Sequence, residues 1–84
     1  MAKTTVELTD RMVLQSYKET LGFKTDADFA RWLGVSRQRL YGWMSDMKRV
    51  SDLWILTNLN HEAPIHRELA KRLAEIHAGK ARWN

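Results

Sequence analysis

Between Asp26 and Trp43, apolar residues recur at helical spacing on both sides of a single glycine. Phe29, Ala30 and Leu33 share one face of a short helix, Gly34 supplies a turn, and Val35, Leu40 and Trp43 face the same core from a second helix. The polar residues left outside the second helix, Arg37, Gln38, Arg39 and Tyr41, are types suited to base edges and phosphates. The pattern predicts a helix-turn-helix; the competing reading is an ordinary helix hairpin with solvated arginines. Each position has a mechanical reason. Ala30 stands where the two helices cross and leaves room for close approach, Gly34 can adopt positive φ at little cost, and the Ser36 hydroxyl can accept from the amide of Gln38 or Arg39.

The rest of the chain reads as further helices with short punctuation and no strand pattern. Thr9 or Asp10 caps a first helix running to about Leu21, with Val13, Tyr17 and Leu21 at i, i+4 and i+8; Gly22 ends it and Phe23 packs back. Thr25 or Asp26 starts the second helix and Ser36 the third. Lys48-Arg49-Val50 forms a basic connector, and Ser51 caps a fourth helix carrying Leu53, Trp54, Leu56 and Leu59. Pro64 suits the first turn of a fifth helix from about Ile65 to Ala78, closed by Gly79. The expected fold is all-α, a compact bundle of four to five helices. Residues 1–84 form a single domain, 65–78 its C-terminal helix and 79–84 a basic tail.

Composition narrows the class. Hydrophobic residues at 44% and charged residues at 29% describe globular material, not a disordered segment. Fourteen Lys and Arg against ten Asp and Glu give a net charge of +4, which favours a polyanionic partner. The absence of cysteine excludes disulfides, thiolate zinc sites and a cysteine nucleophile. No stretch approaches the roughly 20 apolar residues that span a bilayer, so a cytoplasmic location is the default expectation.

The run Gly22-Phe-Lys-Thr-Asp-Ala-Asp-Phe-Ala-Arg-Trp-Leu-Gly-Val-Ser-Arg-Gln-Arg-Leu-Tyr-Gly-Trp43 resembles the DNA-binding domain of the phage repressor and Cro superfamily. The likeness is greatest to its short, lambda-repressor-like branch, where a Gly-Phe pair leads into the motif. It covers roughly residues 9 to 60. The resemblance implies a four- or five-helix bundle that binds double-stranded operator DNA as a homodimer, with Ser36, Arg37, Gln38 and Tyr41 facing the groove. Arg37 suits guanine O6 and N7 and Gln38 suits adenine; Tyr41 can meet a thymine methyl or a phosphate, or pack half-buried. Lys24 and Thr25 before the motif, Ser36 at its cap, Arg39, and Lys48 with Arg49 after it are candidates for phosphate, with solvated charge as the alternative for the basic residues. The sequence departs from the family twice. Asp26 stands where related repressors often carry a phosphate-contacting glutamine, with Asp28 adding a second carboxylate, and Gly42 removes a side chain from a position sometimes used for bases.

Among the four tryptophans, Trp43 and Trp54 occupy apolar positions and are expected in the core, Trp32 reads as core or surface, and Trp83 lies in the basic tail. Ile65, Leu69, Leu73 and Ile76 form an apolar stripe on the fifth helix that packs on the domain's own core or enters a two-fold interface. His61, His66 and His77 fit no metal-ligand spacing and read as surface residues. Neither a nucleophile turn nor a glycine-rich phosphate cradle occurs, so no catalysis and no cofactor are expected. The leading expectation is a sequence-specific, DNA-binding transcriptional regulator, a phage or prophage Cro-type repressor that occludes operator or promoter DNA. The alternative is a protein-interaction module, such as an antitoxin or anti-repressor partner, using the fifth helix and Trp83.

Overall fold

The computed structural model describes residues 9–78 of the 84-residue chain. Five helices follow one another: α1 (Asp10–Leu21), α2 (Asp26–Leu33), α3 (Arg37–Met44), α4 (Asp52–Asn58) and α5 (Pro64–His77). Four of them begin at a hydroxyl. Thr9, Thr25, Ser36 and Ser51 are extended and accept from the amides of Met12, Asp28, Arg39 and Trp54, each satisfying one donor that the first turn leaves free. α5 has no side-chain cap and begins on Pro64, which lacks one of those donors. The Arg67 guanidinium secures the preceding loop by donating to the carbonyls of His61 and Glu62 at 2.8 and 2.9 Å.

α1 and α2 both stop at a left-handed glycine, Gly22 and Gly34. At the second, the Gly34 amide donates to Arg31 and the Val35 amide to Ala30, so the chain reverses with its last carbonyls satisfied and enters the Ser36 cap two residues later. Ala30 is buried and Val35 half-buried, as the crossing of α2 and α3 requires. Gly79 and the tail with Trp83 lie outside the described residues.

Phe29, Leu14, Leu40, Leu69, Leu73 and Val50 are the largest fully buried side chains, drawn from α1, α2, α3, α5 and the α3–α4 connector. Burying one such group contributes about 1.5–3 kcal/mol. Trp54 adds direction to this packing: its indole Nε1 donates to the Leu33 carbonyl at 2.9 Å, and its ring meets Trp43 edge-on at 6.2 Å, so α4 is fastened to the end of α2.

The structure settles the facing of α4 and corrects two expectations. On α4 the inward residues are Trp54, Ile55 and Asn58, whereas Leu53 is 75% and Leu56 63% exposed. On α5, Leu69 and Leu73 are fully buried and Ile76 half-buried, leaving Ile65 as the exposed member of the stripe, at 43%. α1 and α4 both pack on α5 and cover the stripe, which makes Leu69 and Leu73 core residues and removes them from any interface. Finally, only His61 lies on the surface. His66 is buried, its Nε2 2.9 Å from the Trp32 carbonyl and its ring 3.8 Å from that of Trp32. The His77 side chain is half-buried with its Nε2 2.9 and 3.0 Å from the two oxygens of the Asp10 carboxylate. Asp10 is itself buried and also accepts from the Val50 amide at 2.8 Å, so one carboxylate joins the start of α1, the α3–α4 connector and the end of α5.

Candidate nucleic-acid interface

The Ser36 cap fixes the first turn of α3, and the helix then divides sharply by face. Leu40 and Trp43 enter the core, which anchors α3 against α1 and α2, while Arg37, Gln38, Arg39 and Tyr41 are exposed. Residues three and four apart are neighbours on a helix, so Arg37, Gln38 and Tyr41 form one surface. With Asp26 at the start of α2 they line a single shallow depression. Arg39, one residue beyond Gln38, is turned roughly 100° away by helical geometry and stands at the flank of that surface.

Gly42, which offers no side chain for contact, is buried. After α3 the chain folds back through Asp46, whose φ of 60° is left-handed, and the amides of Met47 and Lys48 both donate to the Gly42 carbonyl, at 3.0 and 3.1 Å. This lays the Lys48 stem over Gly42, with its Cγ and Cδ 3.8 Å from where a Cβ would stand. Gly42 is one turn beyond Gln38, so the Lys48 stem borders the α3 surface one turn along, leaving room for a Cβ at position 42. Asp46 is held by the Arg11 guanidinium at 2.9 Å.

Lys24, Thr25, Ser36, Lys48 and Arg49 are exposed on the segments flanking α2 and α3. The Thr25 and Ser36 hydroxyls accept the capping bonds from Asp28 and Arg39 at 3.1 Å each, and each hydroxyl retains its proton to donate. Lys24, Arg37, Arg39, Lys48 and Arg49 form no ion pair with another described residue, while the neighbouring Arg11, Lys18 and Arg31 pair with Asp46, Asp26 and Asp28. The cations on this part of the molecule therefore divide into a paired set and an uncommitted set, with no ion-pair partner among the described residues. The uncommitted set includes both arginines of the α3 surface.

Trp32 does not form a stacking platform. It is half-buried, with Phe23, Phe29 and His66 within 5.9, 6.1 and 3.8 Å of its ring centre, and its faces are occupied by the domain itself. Two features of the surface escaped the sequence pattern, the Lys48 stem over Gly42 and the inclusion of Asp26 in the depression. The spacing of Gly42 four residues after Gln38 is the signal that bears on the first; nothing local signals the second.

Comparison of the chain with protein-family models, with curated proteins and with solved structures finds no match. The surface is accordingly read from its own residues. What it can do chemically is hydrogen-bond in both directions: a guanidinium donates, an amide and a phenol donate and accept, and the Asp26 carboxylate accepts, all around one open depression with further cations at its edges.

Proposed function

We propose that this protein is a sequence-specific, double-stranded DNA-binding transcriptional regulator of the phage repressor and Cro type, which inserts the start of α3 into the major groove and represses by occlusion. The observation that carries this reading is the division of α3: its apolar residues are spent in the core, and what remains outward is Arg37, Gln38 and Tyr41, with uncommitted cations at the flanks. Arg37 is suited to guanine and Gln38 to adenine through paired hydrogen bonds, each contributing about 1–3 kcal/mol of discrimination. Lys24, Lys48, Arg49 and Arg39 supply the salt-dependent grip on phosphates. Acting as a homodimer, two such surfaces read half-sites about one helical turn apart.

The test is selection from random duplex DNA at about 150 mM salt, followed by titration across salt. Enrichment of a two-fold motif with a steep salt slope is expected. The double variant Arg37→Ala with Gln38→Ala should lose the motif while keeping its helical content and its self-association. Failure of the wild-type chain to enrich any motif would overturn the reading.

A second reading, a protein-interaction module, is favoured by the exposure of Leu53 and Leu56 side by side on α4. In that case Leu53→Ser with Leu56→Ser abolishes partner capture, and the α3 double variant leaves it intact.

A further inference from the structure

The depression on the α3 surface contains one group of opposite character to its neighbours. Arg37 is a donor, Gln38 and Tyr41 both donate and accept, and the Asp26 carboxylate, when ionised, only accepts. Asp26 is also held in place. The Lys18 ammonium binds its Oδ1 at 2.8 Å from a side chain only 19% exposed, whereas Asp26 itself is 47% exposed. An anchored carboxylate thus sits among the groups assigned above to base reading.

Helix capping alone does not account for it. The Thr25 hydroxyl already caps α2, and Asp28 gives the same first turn a second negative charge. The two acids differ in their surroundings: Asp28 faces Arg31 at 3.6 Å and lies with Phe23 and Trp32, while Asp26 alone borders Arg37, Gln38 and Tyr41. Against DNA a carboxylate has two consequences. It repels any phosphate brought to the same place, and it accepts from the exocyclic amines that cytosine N4 and adenine N6 present in the major groove.

We infer that Asp26 is a specificity-determining residue of this surface: it accepts a hydrogen bond from an exocyclic base amine beside the base read by Arg37, and its charge disfavours registers that place a phosphate there. The inference rests on the DNA-binding reading and deepens it. Selectivity here comes from a repulsive element set beside attractive ones. The Lys18 pair keeps the carboxylate in position before DNA arrives.

The experiment is selection from random duplexes, run in parallel on the wild-type chain, Asp26→Ala, Asp26→Glu and Asp28→Ala, each first checked for helical content. The wild-type motif should contain one position restricted to cytosine or to adenine, and which of the two is enriched identifies the amine. In Asp26→Ala that position should broaden, with about a tenfold loss of discrimination. The same variant should bind scrambled duplex severalfold more tightly, with a steeper salt slope. Asp26→Glu keeps the weak scrambled binding, and Asp28→Ala keeps the wild-type motif. An unchanged motif and unchanged scrambled binding in Asp26→Ala overturns the inference while leaving the DNA-binding reading in place. Equal effects from Asp28→Ala also overturn it, since both acids would then act only through the helix end. A wild-type chain that enriches nothing overturns both.

Discussion

Lys48 lays its methylenes across Gly42, and the geometry of that contact sets the effect of a substitution. A Cβ at position 42 would meet the Lys48 stem at 3.8–3.9 Å, an ordinary van der Waals distance, in a helix interior where glycine is less favourable than alanine. Gly42→Ala should stabilise the domain by about 0.5–1 kcal/mol in urea denaturation. Gly34→Ala meets open space, with nothing within 4 Å, but has a φ of +78°, so it should destabilise by about 1–2 kcal/mol in the same measurement. The contrast separates backbone strain from packing. At the α1–α5 contact, burial first, and then the hydrogen bond and charge of Glu68, push the Tyr17 phenol up from 10.0 to about 12, with Arg72 pulling the other way. Because the folded value lies above the unfolded one, the stability this phenol contributes is fully present below pH 10 and is lost as pH rises through 12. A phenolate absorbance step near pH 12 is expected in the folded protein, and Tyr17→Phe should remove it.

Among the elements, α3 depends on its cap and α4 on a single indole. Ser36→Ala should cost about 1 kcal/mol and fray the turn that carries Arg37 and Gln38, seen as lowered thermal stability together with weakened duplex binding. Trp54→Phe keeps much of the apolar contact but leaves the Leu33 carbonyl without its donor, which should cost about 1–3 kcal/mol in chemical denaturation. These starts and stops were readable in the sequence because they are local. A hydroxyl lies three residues before the amide it accepts from, and Gly22 and Gly34 stop their helices with the backbone freedom that the turn needs. The inward face of α4 was not readable. Leu53, Trp54, Ile55 and Leu56 are consecutive, so a seven-residue helix offers an apolar residue on every side, and only contact with α2 and α5 selects Trp54 and Ile55. The α3 surface follows the same division: helical period leaves Arg37, Gln38, Arg39 and Tyr41 outside the core and the family resemblance singles out Arg37, Gln38 and Tyr41 among them, whereas Lys48 reaches Gly42 through a left-handed aspartate that no pattern marks.

Across the whole molecule, the interactions hidden from the sequence are those between distant residues. Nothing near His66 or His77 in the chain distinguishes them from surface histidines; Trp32 and Asp10, 34 and 67 residues away, take them inside. Asp10 has the widest reach, since its carboxylate serves both the Val50 amide and the His77 ring. Asp10→Ala should leave two interior donors or acceptors unmet and cost about 1–3 kcal/mol for each, measured as a fall in the midpoint of thermal unfolding. The Val50 amide also offers a view of how the domain opens. Its proton is bound to a group that both ends of the described chain help to hold, and it lies outside any helix. Solvent deuterium should therefore replace it in step with the amides of the last turn of α5. Peeling away the last turn of that helix would release Asp10, and with it the connector bearing Lys48 and Arg49, as one cooperative unit.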